Sequence, residues 1–213
     1  MRISKNGQTI ENKLTVTLDR RAKFTLAERK MQYAAGMRIK ALFGAESELM
    51  DRITFLRGEL AENTAALAKD SELKAKIAEL DVKADTVRKL IVATTEGGAI
   101  TGEERLREHT DQLYAAILNY EGKPTDYQMD NIAALESELK EVTSQFNKLV
   151  STDLKMLNKA LQGAGKKPVT SPPDHIAFDE SEEPGSGTRS ANAVDRDLPL
   201  GKAIFPANFR LLR

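Results

Sequence analysis

SELKAKIAELDVKADTVRKLIVA, residues 71–93, decides the fold. Leu73, Ile77, Leu80, Ala84, Val87 and Ile91 alternate steps of four and three, so they line one narrow row of a helix. Charged residues fill most of the remaining positions. A row this narrow is buried only against other helices that carry the same repeat.

Such helices flank it on both sides. Upstream, Thr25-Leu26-Ala27-Glu28 is a capping box, in which the Thr hydroxyl accepts from the Glu28 amide and the carboxylate reaches back. From there to about residue 68, Ala35, Leu42, Leu49 and Leu56 recur every seven residues, and Ile39, Ile53, Leu60 and Leu67 form a second row that only Glu46 interrupts. Gly36, Gly44 and Gly58 each cost this helix about 1 kcal/mol relative to Ala, and read as close-approach points or bends because the repeat stays in phase across them. Downstream, Glu96-Gly97-Gly98 stops the 71–93 helix. Thr101-Gly102-Glu103-Glu104 reads as a second capping box, opening a helix with Leu106, Leu113, Ile117 and Tyr120 inward. A loop at Glu121–Pro124 leads to a third box, Thr125-Asp126-Tyr127-Gln128. The last helix runs to about Leu161 on Ile132, Leu135, Leu139, Val142, Phe146, Leu149, Met156 and Ala160, with Asp153 in the same row, and Gly163 and Gly165 end it.

The fold class this predicts is mainly α: an antiparallel four-helix bundle of two long and two short helices, over residues 25–163. At 1.5 Å per residue the long pair is about 60 Å and the short pair about 30–35 Å. The short pair therefore covers half of the long pair, which predicts a four-helix head and a coiled-coil-like, two-helix stalk over about 25–45 and 143–163. Leu42, Leu49, Ile53, Leu60, Leu135, Leu139, Phe146 and Leu149 are the seam residues that would pack the helices or meet a partner. Before the bundle, residues 1–19 read as extended. Asn6-Gly7 lies between Arg2–Ser4 and Thr9–Ile10, a hairpin signal, and Leu14, Val16 and Leu18 alternate with polar residues as in a half-buried strand. After the bundle, residues 164–213 are expected to be a largely disordered tail, rich in Gly, Pro, Ser and acid over 164–197, with an apolar end from Leu198 to Leu212.

Composition narrows the chemistry. The chain has 213 residues, and its 32 Lys and Arg balance 32 Asp and Glu, so no global field attracts nucleic acid or an anionic membrane. With no Cys there is no disulfide, thiolate metal site or Cys nucleophile. Two His cannot supply a His-rich metal centre. A carboxylate-bridged dimetal site in a bundle needs Glu-x-x-His pairs, and Leu106 stands three residues before His109. Glu103, Glu104, Glu108 and His109 read as a solvated helix start, where acids favour the helix dipole. No catalytic residue, cofactor or metal is expected. Arg20, Arg21, Lys23, Arg29, Lys30, Arg38 and Lys40 form a basic stripe with one acid, Glu28. It is weak as a phosphate-binding surface and better read as a solvated face or one facing acids such as those between Asp174 and Glu183. No apolar run is long enough to span a membrane and the first residues hold no signal-peptide core, so the chain as written reads as cytoplasmic. A protein partner is expected, with self-association as the second possibility; nucleic acid is not.

NGQTIENKLTVTLDRR (6–21), LNYEGKPTDYQMDNIAALESELKEV (118–142) and DLKMLNKAL (153–161), in that order around a long helix, carry a family resemblance. The chain resembles the C-terminal region of bacterial sortilin-like, BNR-repeat proteins of glycosyl-hydrolase type over about residues 2–162. In that family a β-propeller and a small β-domain precede a V-x-x-DPR junction and a helical region. Val16, Asp19 and Arg21 match the junction, Arg20 stands in place of the Pro, and Pro124-Thr125 matches the opening of the last helix. The resemblance implies that hydrolase activity belongs to a propeller this chain lacks and that no catalytic residue carries over. It also implies that residues 1–19 are the last strands of a β-domain, that the chain is an excised or split piece, and that the parent is exported. Together these readings predict a non-catalytic helical interaction module, or alternatively a stand-alone coiled-coil adaptor binding through stalk and tail.

Overall fold

Thr25 opens the helical part as its sequence dictates. In the computed structural model, which describes residues 1–17, 19–67, 71–94 and 103–176, the Thr25 hydroxyl accepts from Glu28 N at 3.2 Å, and Thr25 N donates to Glu28 Oε2 at 2.6 Å. Helix α1 then runs unbroken over Leu26–Ala66, 41 residues or about 60 Å. It is followed by α2 (Ser71–Ile91), α3 (Leu106–Leu118) and α4 (Asp126–Lys148), which continues through a π-helical stretch, Leu149–Leu154, into α5 (Lys155–Gly163). Thr125 caps α4 through reciprocal bonds with Gln128 at 3.2 and 2.9 Å. The chain is thus mainly α, with two long and two short helices and a short two-stranded antiparallel hairpin in front, β1 (Arg2–Lys5) and β2 (Gln8–Glu11).

The two short helices are placed differently from the expected head and stalk. They do not lie side by side but follow one another along α1. Arg57 of α1 pairs with Asp81 and Asp85 of α2, Glu46 meets Thr110 of α3, and Gln32 reaches the carbonyl of Ile117. Descending α1 therefore means ascending through α2 and then α3. The fourth helix runs parallel to α1, with Arg38 on Glu136 and Arg52 on Asn147. α1 packs on α2 along one half and on α3 along the other, α4 packs on all three, and the π-helical stretch and α5 continue against α2. The physical reason is burial. A third helix folded back beside α2 would leave the row Ala35, Ile39, Leu42 open to water, and laying it further along α1 covers that row.

The core confirms the heptad reading of α1 and α2. All eight apolar seam positions of α1 from Ala35 to Leu67, and all six of α2 from Leu73 to Ile91, are buried. Two inward assignments fail. Tyr120 is 60% exposed because α3 ends at Leu118, before it. Met156 is 63% exposed because the π-helical stretch adds one residue to the turn, so that Leu154, Leu157 and Leu161 are buried where the unbroken heptad expects Asp153, Met156 and Ala160. Ala160 is only partly buried.

The α1 glycines divide. A Cβ at Gly36 would lie 3.3 Å from Leu118 Cδ2, so Gly36 is a close approach of α1 to α3. A methyl group added at Gly44 or Gly58 would meet nothing within 4 Å, and both positions lie in uninterrupted helix. Gly44→Ala and Gly58→Ala are each expected to stabilise the protein by about 0.5–1 kcal/mol. Urea unfolding of the double variant should show a midpoint shift near the sum of the two.

The ends of the chain depart from expectation. Residues 12–17 form no strand, and Leu14 and Val16 are exposed, Val16 at 87%. Their alternation writes an apolar face, but no third strand lies beside it among the described residues. Leu18 lies outside the described residues, as do residues 177–213 with their apolar end. The nearer part of the tail, 164–176, is laid on the bundle instead of being loose: Val169 and Pro172 are buried.

Candidate functional site

Leu42, Leu49, Ile53, Leu60, Leu135, Leu139, Phe146 and Leu149 are all buried in one core cluster. The apolar face expected to stand open on a two-helix stalk is covered by the chain's own α2 and α3. The seam residues hold the bundle together, and of them only Leu42 and Leu139 also border an open groove at the surface.

The basic residues do not form one face. At about 100° per residue, Arg29 and Lys40 point the same way, Lys30 lies roughly 100° round the helix and Arg38 roughly 180°. Arg38 is held by Glu136 through Nε at 3.1 Å and Nη2 at 2.7 Å. Arg21 is held by Asp19 at 2.8 Å, and Arg29 lies over the Phe24 ring, 5.1 Å from its centroid. Arg20 and Lys30 are exposed. The stripe is spread over several faces, and three of its residues are engaged in separate contacts.

The acidic cluster has a structural task in half of its members. Glu103 accepts from Thr94 N at 3.0 Å and from Arg105. Glu108 accepts from Ala93 N at 3.3–3.4 Å and from Arg105 N at 3.0 Å. These two carboxylates gather backbone N–H groups from both sides of the α2–α3 connection and fix one helix on the end of the other. Arg105, not Thr101, is the residue before α3, and a guanidinium has no acceptor with which to complete a box. Thr101 lies outside the described residues. Glu104 and His109 do stand on the solvated side, 3.4 Å apart. Among the described residues no group of three or more His, Asp or Glu is arranged to hold a metal ion, and no helix is long and apolar enough to cross a membrane.

Two side chains inside the bundle escape pattern reading. Gln32 is buried and donates from Nε2 to the carbonyls of Ile117 (2.8 Å) and Tyr120, so α1 caps the C-terminus of α3. Glu46 is 0% exposed, with Oε1 2.6 Å from Thr110 Oγ1. Burial pushes its carboxyl up to about 7, against the Thr110 hydrogen bond and the Arg107 charge, with Glu108 and Glu138 adding to the rise.

What remains accessible is at the surface. The hairpin is joined by Asn6 and Gly7 at φ 50° and 77°, a two-residue turn of type I′, and pairs Ile3 with Ile10 across its strands. Every residue of both strands is exposed. Ile3, Ile10, Leu14 and Val16 together make an uncovered apolar arm at one end of the chain. The second feature is an open groove of about 630 Å³ between α1 and α4, with Leu42, Leu139 and Lys140 in its lining and the Arg38–Glu136 pair bridging its two walls. No family model, curated protein or solved structure matches the chain.

Proposed function

We propose that this chain is a non-catalytic helical interaction module: a rod about 60 Å long that presents a β-arm at one end to a β-sheet of its partner. The observation that carries the reading is the contrast between a core closed within the chain and a hairpin whose residues are all exposed. An isolated hairpin is marginal in water, and the outer edges of β1 and β2 keep unpaired backbone groups suited to extending a sheet. The resemblance to the C-terminal region of sortilin-like, BNR-repeat proteins supports one form of this reading, in which the sheet is a preceding β-domain of the same polypeptide. Free Ile3, Ile10, Leu14 and Val16 support equally a separate protein that docks on the arm.

Immunoblotting of the native polypeptide, combined with a photo-cross-linking residue at position 10 and, as control, at the exposed position Ala78 of α2, tests the proposal. A band several-fold heavier than 23.5 kDa would make the partner sheet part of a parent chain. A 23.5 kDa band with a discrete adduct from position 10 and none from position 78 would make it a separate protein. A 23.5 kDa band with no adduct from position 10 overturns the reading.

A further inference from the structure

The chain leaves α5 at Gly163, turns through Gly165 at φ +67°, and runs back along the bundle. From Lys167 to Ile176 it makes no backbone–backbone hydrogen bond among the described residues. Side chains of the helices read its backbone instead. Asn158 donates from Nδ2 to the Val169 carbonyl at 2.9 Å and accepts from Val169 N at 2.8 Å. Thr170 N donates to Glu59 Oε2 at 3.1 Å, and Arg52 Nε donates to the Pro173 carbonyl at 3.1 Å. His175 Nδ1 lies 3.7 Å from Glu48 Oε2. These partners step down α1 from Glu59 to Arg52 to Glu48, about 16 Å of helix axis. Residues 170 to 175 cover about the same distance only if fully extended.

Pro168, Pro172 and Pro173 supply the reason for the extension. Each fixes its own φ and biases the residue before it to extended backbone. An extended, proline-rich segment makes no internal hydrogen bonds, so its N–H and C=O groups are free for a reader. Two side chains anchor it: Val169, 2% exposed, and Pro172, also buried, while Thr170, Ser171, Pro173 and Asp174 are exposed. The receiving groups are held by the helices themselves. The Arg52 guanidinium lies 5.2 Å from the centroid of the Phe146 ring, donates from Nη2 to Asn147 at 3.2 Å, and stands 3.6 Å from Asp174. Backbone bonds for hold and two seats for pattern are how a surface takes a short linear peptide. Two anchors and a few surface bonds are a small holding beside the helix core, so the segment opens at lower free energy than the bundle unfolds.

We propose that the face of α1 and α5 carrying Arg52, Glu59 and Asn158 is a binding site for an extended peptide, with residues 169–174 as its resident, displaceable occupant. The pattern it takes is an apolar β-branched residue, a proline three positions on, and an acid two beyond that, as in Val169, Pro172 and Asp174. Tethering through Gly163 and Gly165 gives the chain's own segment a local concentration of about millimolar. The site is thereby closed to weak peptides and open to a partner segment that binds more tightly. It is separate from the β-arm of residues 1–17 and does not depend on it.

Two measurements test this. In the unaltered chain, the Val169 and Thr170 amides are expected to exchange with solvent at least about 100-fold faster than those of Leu139 and Val142 in α4. In a full-length variant with Val169→Asp and Pro172→Ser, which frees the site, helical circular dichroism and cooperative unfolding are expected to persist. A fluorescent peptide of residues 166–176, KKPVTSPPDHI, is expected to bind that variant at least about ten-fold more tightly than the unaltered chain, whose site is filled. Asn158→Ala in the same variant is expected to weaken the peptide at least about ten-fold. Exchange of the two amides at the α4 rates, or loss of cooperative unfolding in the freed variant, would make the segment part of the core and overturn the proposal. No binding, equal binding to the freed and unaltered chains, or binding unaffected by Asn158→Ala overturns it as well.

Discussion

Glu46→Gln is expected to raise stability by roughly 3 kcal/mol at pH 8 and to leave it nearly unchanged at pH 4. The reason begins with a count of protons. Thr110 Oγ1 stands 2.6 Å from Glu46 Oε1 and 2.9 Å from the Leu106 carbonyl, yet a hydroxyl has one hydrogen to give. A neutral Glu46 resolves this: its O–H donates to Thr110 Oγ1, and the Thr hydroxyl donates to Leu106. An ionised Glu46 takes the Thr hydrogen for itself, leaves the Leu106 carbonyl with its helical N–H partner alone, and keeps a charge at a site with 0% exposure. Its Oε2 has no hydrogen-bond partner among the described residues. The charges facing it divide in sign: α3 brings Arg107 and Glu108, and α4 brings Glu138.

The pH dependence follows in sign and window. The folded-state carboxyl titrates near 7 and the unfolded one near 4.5. Between these values the folded state binds more protons, so stability falls as pH rises from about 4.5 to 7 and is level above that. Asp51, pushed up by burial against the pull of Arg107, adds a smaller slope of the same sign. Asp85, where burial is outweighed by Lys89, Arg88 and Arg57, is held low and acts at more acid pH with the opposite sign. A glutamine side chain at this position reproduces the neutral acid by donating its amide N–H to Thr110, so the variant should lose most of the decline. Urea unfolding from pH 4 to 8 reads this directly. An equal effect of the substitution at both ends of the range would mean that Glu46 is not neutral in the folded protein.

What pattern reading reached and missed has a physical division. Helix existence, the Thr25 and Thr125 caps, the Asn6-Gly7 turn and the inward rows of α1 and α2 are local, set by residues a few positions apart, and the structure repeats them. The relative placement of α2 and α3 is not local. Residues 92–105 are long enough to turn back or to carry on, and the choice falls to the uncovered lower half of α1. The joint that enforces it is written in Glu103 and Glu108, whose partners are backbone groups without a sequence signature. Gln32 likewise caps a helix some 85 residues away in sequence. The tail between 164 and 176 reads as a linker by composition, yet two apolar residues and a series of side-chain-to-backbone bonds suffice to lay it down.

The π-helical stretch yields the sharpest structural prediction. Leu157→Ala is expected to cost about 2–5 kcal/mol and Met156→Ala no more than about 0.5; an unbroken heptad requires the reverse order. The leucines themselves carry the signal, since Leu149, Leu154, Leu157 and Leu161 are each, after the first, one residue beyond the 149-153-156-160 row. One extra residue between Lys148 and Lys155 moves three leucines into the core. It also moves Asp153 out, where its carboxylate accepts from Lys83 at 2.7 Å. A regular α-helix would instead bury an acid and expose leucine, and losing one well-aligned backbone bond costs far less than that. If the stretch is an added residue in an otherwise continuous helix, deleting exposed Ser151 should restore regular α geometry with the same leucines inward. The deletion should keep the helical signal and most of the stability. Deleting Ser137, in the regular part of α4, rotates everything that follows by about 100° and should abolish cooperative unfolding. Comparable damage from the two deletions, measured by circular dichroism and urea titration, would show that the extra residue is not what sets the phase of α5.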